Sequence, residues 1–346
     1  MPEHSLPYGP PPDSGAVASG SPPPASPVVA AGLSLLLPGL GHIYARRTLR
    51  GWVWLTAPFL FTFVVIASIR MGRNPFLLAM VIGLLGILGL RIAAIFDAVS
   101  TIRRHPGPRA PIGMTVLAAA IVFVISEANS RALKHFVLES VKLPSGSMVP
   151  TLFVGDHVFV DKLRSPERGD LLFFPFPEHP EQDFLKRVVG MPGDRLEFRS
   201  GHPIINGVAI PSCYVGRVAY EDGDSSVTKH EGRMYLEILG RHAHLAFYDD
   251  AVYGTDYQGP YVVEPGELFI LGDNRWNSHD SRMWRNGQGG GVPRSTVKGL
   301  PFMVWLAVSQ RGVDWSRTGL DLTSPHLPSS MAQLQPALDA CLAKSL

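Results

Sequence analysis

The sequence has few of the residues that would point to a redox, metal-binding or nucleic-acid-binding protein. It contains only two cysteines, Cys213 and Cys341, which are far apart and form neither a CxxC motif nor a metal-binding spacing. We expect two unpaired thiols, although a disulfide between them stays open. The formal net charge is only +2, so neither sign reaches the excess that is typical of nucleic-acid partners.

Large apolar residues are almost absent from residues 1–27, which are rich in Pro, Gly and Ser. Such a segment cannot bury enough surface to offset its chain entropy, so we predict a disordered tail. No Arg or Lys precedes the first apolar run, which argues against a cleavable signal peptide with a basic amino-terminal region. The mean hydropathy of the chain is nevertheless +0.13, because apolar residues crowd into its first third.

Residues 28–128 are predicted to be an α-helical membrane region. Three stretches approach membrane-spanning length, at 51–69, 75–99 and 112–126. A fourth, 28–44, is broken by Pro38, Gly39 and Gly41, and fits a span, a re-entrant segment or a surface hairpin. The loops before the first and third stretches carry basic clusters, which we expect on the cytoplasmic side: Arg46, Arg47 and Arg50, and Arg103, Arg104 and Arg109. Everything after residue 128 then lies on the outer face of the membrane.

The remaining chain predicts a mainly β domain at 129–320, followed by a tail at 321–346. Short runs rich in Val, Phe, Ile and Leu alternate with Gly, Pro, Asp and Asn, as in HVFVDKL and GELFILGDN. Residues 197–262 are predicted to form an inserted lobe, because the motifs described below flank them. The apolar run 300–305 is interpreted as a core strand, in preference to a surface that dips into lipid.

Two segments carry residues suited to nucleophilic catalysis. The first, LPSGSMVPTL at 143–152, places Ser145 and Ser147 in a turn whose glycine lets a backbone approach closely. The second, FLKRVVGMPGD at 184–194, is a strand on which Lys186 shares a face with Phe184, while Arg187 points the other way. Burial among apolar neighbours would lower the pKa of a lysine enough for it to act as a base, which an arginine cannot do.

A third segment, GDNRWNSHDSR at 272–282, packs polar residues densely after an apolar strand. Asp280 and Arg282 could form an ion pair there, and Ser278 could orient the ammonium group of Lys186. A Ser-His-Asp triad through His279 with Asp280 or Asp273 is a weaker alternative, because adjacent residues on a strand point to opposite faces.

These segments, with GDHVFVDKL and GVPRSTVKG, resemble the characteristic boxes of type I signal peptidases over residues 138–312. The resemblance implies a β-fold enzyme with a Ser/Lys dyad and no metal or cofactor, acting on exported preproteins at the outer membrane face. Sites with small residues at −1 and −3 would be cut. Ser147 matches the nucleophile, Lys186 the general base, Ser145 an oxyanion-hole hydroxyl, and Ser278 the residue that positions the lysine. Asp280 and Arg282 match a supporting pair, and the residues matching shallow apolar substrate pockets are Leu143, Pro144, Met148, Leu152, Phe184 and Leu185.

The chain departs from the family pattern in three places. Trp276 replaces a residue that is usually acidic, residues 286–291 form a glycine-rich insertion, and the amino-terminal region has more apolar runs than usual. Two other functions stay open. One is a catalytically silent membrane scaffold that binds extended peptides, and the other is a self-cleaving regulator, which would need a DNA-binding domain in place of the apolar helices.

Overall fold

The computed structural model describes residues 22–69, 73–222, 228–250, 256–309 and 312–345. The described residues divide into a helical unit, 22–63 and 82–125, and a mainly β unit that contains 64–69, 73–81 and the described residues from 126 onward. Residues 1–21 of the predicted disordered tail lie outside this description. Residues 22–27 of the same predicted tail contact a neighbouring loop through their backbone: Ala25 N–H donates to Gly107 C=O at 2.9 Å.

Helices α1 to α5 occupy the first part of the described chain: α1 (Pro27–Leu36), α2 (Leu40–Tyr44), α3 (Thr48–Ile69), α4 (Arg73–Arg104) and α5 (Ile112–Phe136). Helix α1 begins where the Ser26 hydroxyl accepts from Val29 N–H and Pro27 occupies the first turn. Segments Val81–Arg104 and Ile112–Phe136 are long and apolar enough to cross a membrane, with mean hydropathies of 2.0 and 1.8.

The glycines of the 28–44 segment explain why it folds as a helical hairpin. Gly39 has φ +102, and a Cβ there would lie 2.3 Å from Gly51 O, while a Cβ on Gly41 would lie 2.2 Å from Ala30 O. Only glycine permits these approaches. They bring His42 into the interior of the unit, where its Nε2 lies 3.0 Å from Asp97 Oδ2.

The described part of the second unit contains strands and short helices in the following order: β1 (Leu138–Lys142), β2 (Asp156–Asp161), β3 (Leu171–Phe176), β4 (His179–Gly190), β5 (Arg195–Arg199), β6 (His202–Ile205), β7 (Val208–Ala209), β8 (Ser212–Asp222), β9 (Thr228–Leu239), β10 (His242–Asp249), β11 (Tyr257–Val262), β12 (Glu267–Leu271), α6 (Trp284–Gly287), β13 (Val292–Pro293), β14 (Leu300–Ser309), β15 (Gly312–Val313), β16 (Leu320–Asp321) and α7 (Gln335–Ser345). Two 3₁₀ turns occur at Arg294–Thr296 and Ser329–Leu334. The prediction of a mainly β domain is confirmed.

The strands form antiparallel sheets. One has the order β1-β2-β14-β15, with β16 also paired to β14, and another has the order β13-β12-β4-β3. Residues predicted as an inserted lobe build most of the remaining sheets, β11-β5-β6-β7 and β10-β9-β8. In the 300–305 run, Leu300, Met303 and Val304 are buried, while Phe302 and Trp305 are half-buried against Phe159.

The carboxy-terminal residues differ most from the prediction. They are not a loose tail, because α7 and the preceding 3₁₀ turn pack their apolar side chains, including Met331 and Leu338, into a core with β8, β9 and β10. Cys341 on α7 forms a disulfide with Cys213 on β8, so the expectation of unpaired thiols is wrong. The packing of α7 on β8 brings together two residues that are 128 positions apart.

Candidate active site

The segment that carries Ser147 is a turn between β1 and β2 held by its own apolar side chains. Leu143, Met148 and Leu152 are buried in one core with residues of β2, β3, β4 and β14. The turn is also held from the third polar segment: Asn274 donates from Nδ2 to Gly146 O at 3.2 Å and from its backbone N–H to Ser147 O at 3.1 Å. The Ser147 hydroxyl therefore occupies a fixed position, with the residue 8% exposed.

Lys186 lies opposite Ser147 on β4, between β3 and β12. Its Nζ donates to Ser147 Oγ at 2.6 Å and stands 5.1 Å from the centre of the Phe184 ring, on the face that strand alternation predicted. Burial lowers the pKa of Lys186 from 10.5 to about 8, although the charges of Asp280 and Asp273 act in the opposite direction. A neutral amine is thus accessible near physiological pH within hydrogen-bonding distance of a hydroxyl.

Ser145 lies beside this pair. Its Oγ is 3.2 Å from Ser147 Oγ, and the residue is exposed to the cleft. A hydroxyl in this position, together with the backbone N–H of Ser147, can donate to an oxygen that develops negative charge during attack on a carbonyl.

Two buried ion pairs support the site from β4 and from the segment after β12. Arg282 contacts both carboxylate oxygens of Asp280 at 2.9 Å, and Gly272 N–H donates to the same carboxylate at 3.0 Å. Burial alone would raise the pKa of Asp280, but the charge and hydrogen bonds of Arg282 lower it overall. Arg187 makes an equivalent pair with Asp273, with contacts of 2.8 and 2.6 Å.

The arrangement of these carboxylates excludes the triad alternative. Asp280 and Asp273 are each occupied by an arginine, and His279 lies with its edge against the rings of Phe176 and Phe184. Within the described part of the chain, His279 forms no hydrogen bond with Ser147 or with either carboxylate. A histidine base for Ser147 is therefore not assembled at this position.

Ser278 also differs from the expected arrangement. Its Oγ is sealed from solvent and packs close to Gly272, where a Cβ would lie 2.2 Å from that oxygen. Among the described residues, no hydrogen bond joins Ser278 to Lys186. In this structure, Lys186 is held by its hydrogen bond to Ser147 and by apolar neighbours such as Phe184.

A cleft of about 840 Å³ opens in front of Ser147 and Lys186. Most of the residues predicted to form apolar substrate pockets line it: Leu143, Pro144, Met148, Phe184 and Leu185. Leu152 does not, because it is fully buried behind this wall. The lining of the cleft also includes His230 on β9 and Asn277 in the segment after β12.

Sequence reasoning missed most of the polar support that comes from the lobe. Arg275 is 1% exposed and bonds to the fully buried Glu237 of β9 and to the Tyr248 hydroxyl. His230 pairs with Asp249 across the sheet. The dense polar segment at 272–282 was the available signal, since so many buried groups need partners, but it did not identify those partners.

Trp276, the departure from the acidic residue of the family pattern, packs its ring over the guanidinium of Arg282 at 6.0 Å. Its Cζ2 atom lies where a Cβ on Gly201 would come within 2.8 Å, and Gly201 has a φ of +80. In the glycine-rich insertion, Gly289 lets the chain pass directly against the ring of Tyr261. Neither departure intrudes between Ser147 and Lys186, which are in direct hydrogen-bond contact.

Comparison with known proteins finds similarity over this same region. A family model described as signal peptidase, peptidase S26, matches residues 112–306, so helices α1 to α4 lie outside the match. The signal peptidase I of Pseudomonas aeruginosa is 33% identical over 198 residues, covering 51% of this chain and 67% of that protein. That of Pseudomonas fluorescens is 32% identical over 214 residues, covering 54% and 73%.

A crystal structure of a signal peptidase I from Enterococcus faecalis also matches, with 26% sequence identity over 40% of this chain and 97% of that chain. The TM-score of this match is 0.24, which is too low to establish a shared fold.

Proposed function

The chain belongs to the signal peptidase family, peptidase S26, and we propose that it cuts signal peptides from exported preproteins with Ser147 as nucleophile and Lys186 as general base. Members of this family are serine endopeptidases, so the chain is a hydrolase. The observation that carries the proposed roles is the 2.6 Å hydrogen bond from Lys186 Nζ to Ser147 Oγ, made by a buried lysine whose pKa is lowered to about 8.

The reaction begins when neutral Lys186 takes the proton of the Ser147 hydroxyl. The resulting oxygen attacks the scissile carbonyl, and the Ser145 hydroxyl and Ser147 N–H stabilise the oxyanion that forms. The lysine ammonium then gives its proton to the leaving amine, which releases the mature protein and leaves the signal peptide as an ester on Ser147. Neutral Lys186 next activates a water molecule that hydrolyses this ester.

The cleft favours an extended substrate with small side chains near the cut. The end of β1 and the strand β4 flank Ser147, so the signal peptide can lie between them as an added strand. Leu143, Pro144 and Leu185 are proposed to form the walls of shallow pockets that admit Ala at −1 and −3 and exclude larger residues. Leu152 is proposed to support these walls from behind.

Three supporting roles are also proposed. The Asp280–Arg282 pair fixes the segment after β12, which in turn bonds to the Ser147 turn through Asn274. Ser278 would help to position Lys186 at steps in which Ser147 Oγ is covalently bound and the lysine needs another acceptor. That role requires a rearrangement, because no hydrogen bond joins Ser278 to Lys186 among the residues that the structure describes.

We propose that the helices before the β domain anchor the enzyme in the cytoplasmic membrane, with several crossings. Residues 28–128 would form the membrane region and 129–320 the peptidase domain on the outer face. The two long apolar helices and the arginine clusters at 46–50 and 103–109 support this orientation. The substrates, exported preproteins, would then meet the active site as they emerge from the bilayer.

Cleavage of a preprotein with an Ala-X-Ala site by the detergent-solubilised protein tests this proposal. We expect the parent to cut after the last Ala and Ser147→Ala and Lys186→Ala to lose activity by several orders of magnitude. Lys142→Ala is the matched control, because Lys142 is an exposed lysine that lines the same cleft, and it should keep most of the activity.

An inert parent, or a Lys186→Ala variant that keeps its rate, would contradict the proposed chemistry. The silent peptide-binding scaffold would then become the better interpretation of the cleft.

A further inference from the structure

His230 lines the same cleft as Ser147 and Lys186, but it belongs to a different sheet from the strands that flank them. It lies on β9, and its Nδ1 stands 2.6 Å from Oδ2 of Asp249 on β10. The Asp249 side chain is 1% exposed, whereas the His230 side chain is 16% exposed. The pair is therefore anchored in the domain on one side and reaches the cleft on the other.

The ring of His230 is also fixed from the side of the nucleophile. It stacks on Tyr220 with ring centres 4.9 Å apart and an interplanar angle of 14°. Asn274 donates from Nδ2 to the Tyr220 hydroxyl at 2.6 Å and to Gly146 O at 3.2 Å. The imidazole is thus placed through two contacts relative to the turn that carries Ser147.

These contacts leave one polar atom of the ring for a ligand. The carboxylate of Asp249 accepts the hydrogen on Nδ1, which makes Nε2 the lone-pair acceptor in the neutral ring. Within the described ranges, Nε2 has no hydrogen-bond partner in the protein. A side chain held on two sides and open on the third is preorganised to bind a donor in the cleft.

The position of His230 indicates which part of a substrate it meets. The signal-peptide side of the cleft is formed by the end of β1 and by β4, on which the proposed −1 and −3 pockets lie. His230 enters the cleft from the β10-β9-β8 sheet, which reaches the Ser147 turn through Tyr220 and Asn274 rather than through β1 or β4. We propose that His230 is a further specificity residue, whose Nε2 accepts a hydrogen bond from the first residues of the mature protein. This inference rests on the proposed peptidase function.

The test compares two preproteins that are identical except for Thr or Val at the first and second mature positions. Thr and Val have side chains of similar shape, but only the side chain of Thr can donate a hydrogen bond. We expect the full-length parent to favour Thr in kcat/KM by about three- to tenfold, the size of one neutral hydrogen bond. The ratio of the two rates does not depend on the fraction of enzyme that is folded.

Two variants separate recognition from structural support. His230→Asn keeps a side-chain N–H that can bond to Asp249 but lacks an atom at Nε2, so it should reduce the Thr/Val ratio to about one. His230→Gln reaches the Nε2 position and should retain part of the preference. His279→Asn is the matched control, because His279 lines the cleft against Phe184, on the signal-peptide side, and it should leave the ratio unchanged.

The proposal is overturned if His230→Asn slows both substrates equally, which would show a purely structural role through Tyr220. It is equally overturned if the parent shows no Thr/Val preference, or if His230→Asn changes the preference at −1 or −3 instead. A parent that cuts no preprotein refutes the peptidase function itself, and the role of His230 falls with it.

Discussion

The pH dependence of cleavage gives the sharpest test of the proposed role of Lys186, because a general base must be in its neutral form. With a pKa of about 8, about one lysine in ten is neutral at pH 7, against about one in 3,000 at the ordinary value of 10.5. Burial thus raises the concentration of active base about 300-fold at this pH. We expect kcat/KM to rise about tenfold per pH unit below pH 8 and to level off above it, because protonation removes the base as the pH falls.

The assay measures initial rates at substrate concentrations below KM, with ionic strength held constant and activity recovered on return to pH 8 after each exposure. Lys186→Arg should be inactive at every pH, since a guanidinium stays protonated. Lys142→Arg, the same change at the exposed lysine of the cleft, should reproduce the parent profile. A flat parent profile, a midpoint near 10.5, or an active Lys186→Arg variant would refute the assignment of a desolvated lysine base.

Three other changes have expected outcomes. Ser145→Ala should lower kcat by about 10²–10³ with little change in KM, as expected for an oxyanion donor, and an unchanged kcat would remove that role. Arg187→Met should lower the free energy of unfolding by about 3–5 kcal/mol, because Asp273 is left charged and buried, while adding Asp273→Leu should recover much of the loss in denaturant titrations. Replacing Cys213 and Cys341 by Ser should cost about 2–5 kcal/mol, and a reductant should then have no further effect on the denaturation midpoint of this variant.

The two central residues could be predicted because each belongs to a short motif whose local geometry is encoded nearby. The turn around Ser147 is fixed by its own apolar residues, and Lys186 follows the alternation of a single strand. Ser147 and Lys186 are 39 positions apart in sequence. Their contact was suggested by the order of the motifs, and no local geometric pattern predicted it. The contact itself depends on how two sheets pack.

Arg187 shows where alternation alone misleads. Strand alternation correctly places it opposite Lys186, and a residue opposite a buried site is usually expected to face solvent. In this domain β4 is covered on both faces, so Arg187 is only 4% exposed and needs Asp273 as a partner. The segment that supplies Asp273 lies 86 positions away, and no local pattern relates the two residues.

The lobe predicted at 197–262 contacts the turn that carries Ser147. Val149, two residues after Ser147, packs in the core formed by β8, β9, β10 and α7, and the disulfide joins α7 to β8 in that core. Asn274 bonds both to Tyr220 on β8 and to Gly146, and so it joins the β10-β9-β8 sheet to the Ser147 turn. Helix α7 and the turn that carries Ser147 therefore pack into one buried core. The lobe and the carboxy-terminal helix therefore help to support the candidate active site, although nothing in their local sequence resembles a catalytic motif.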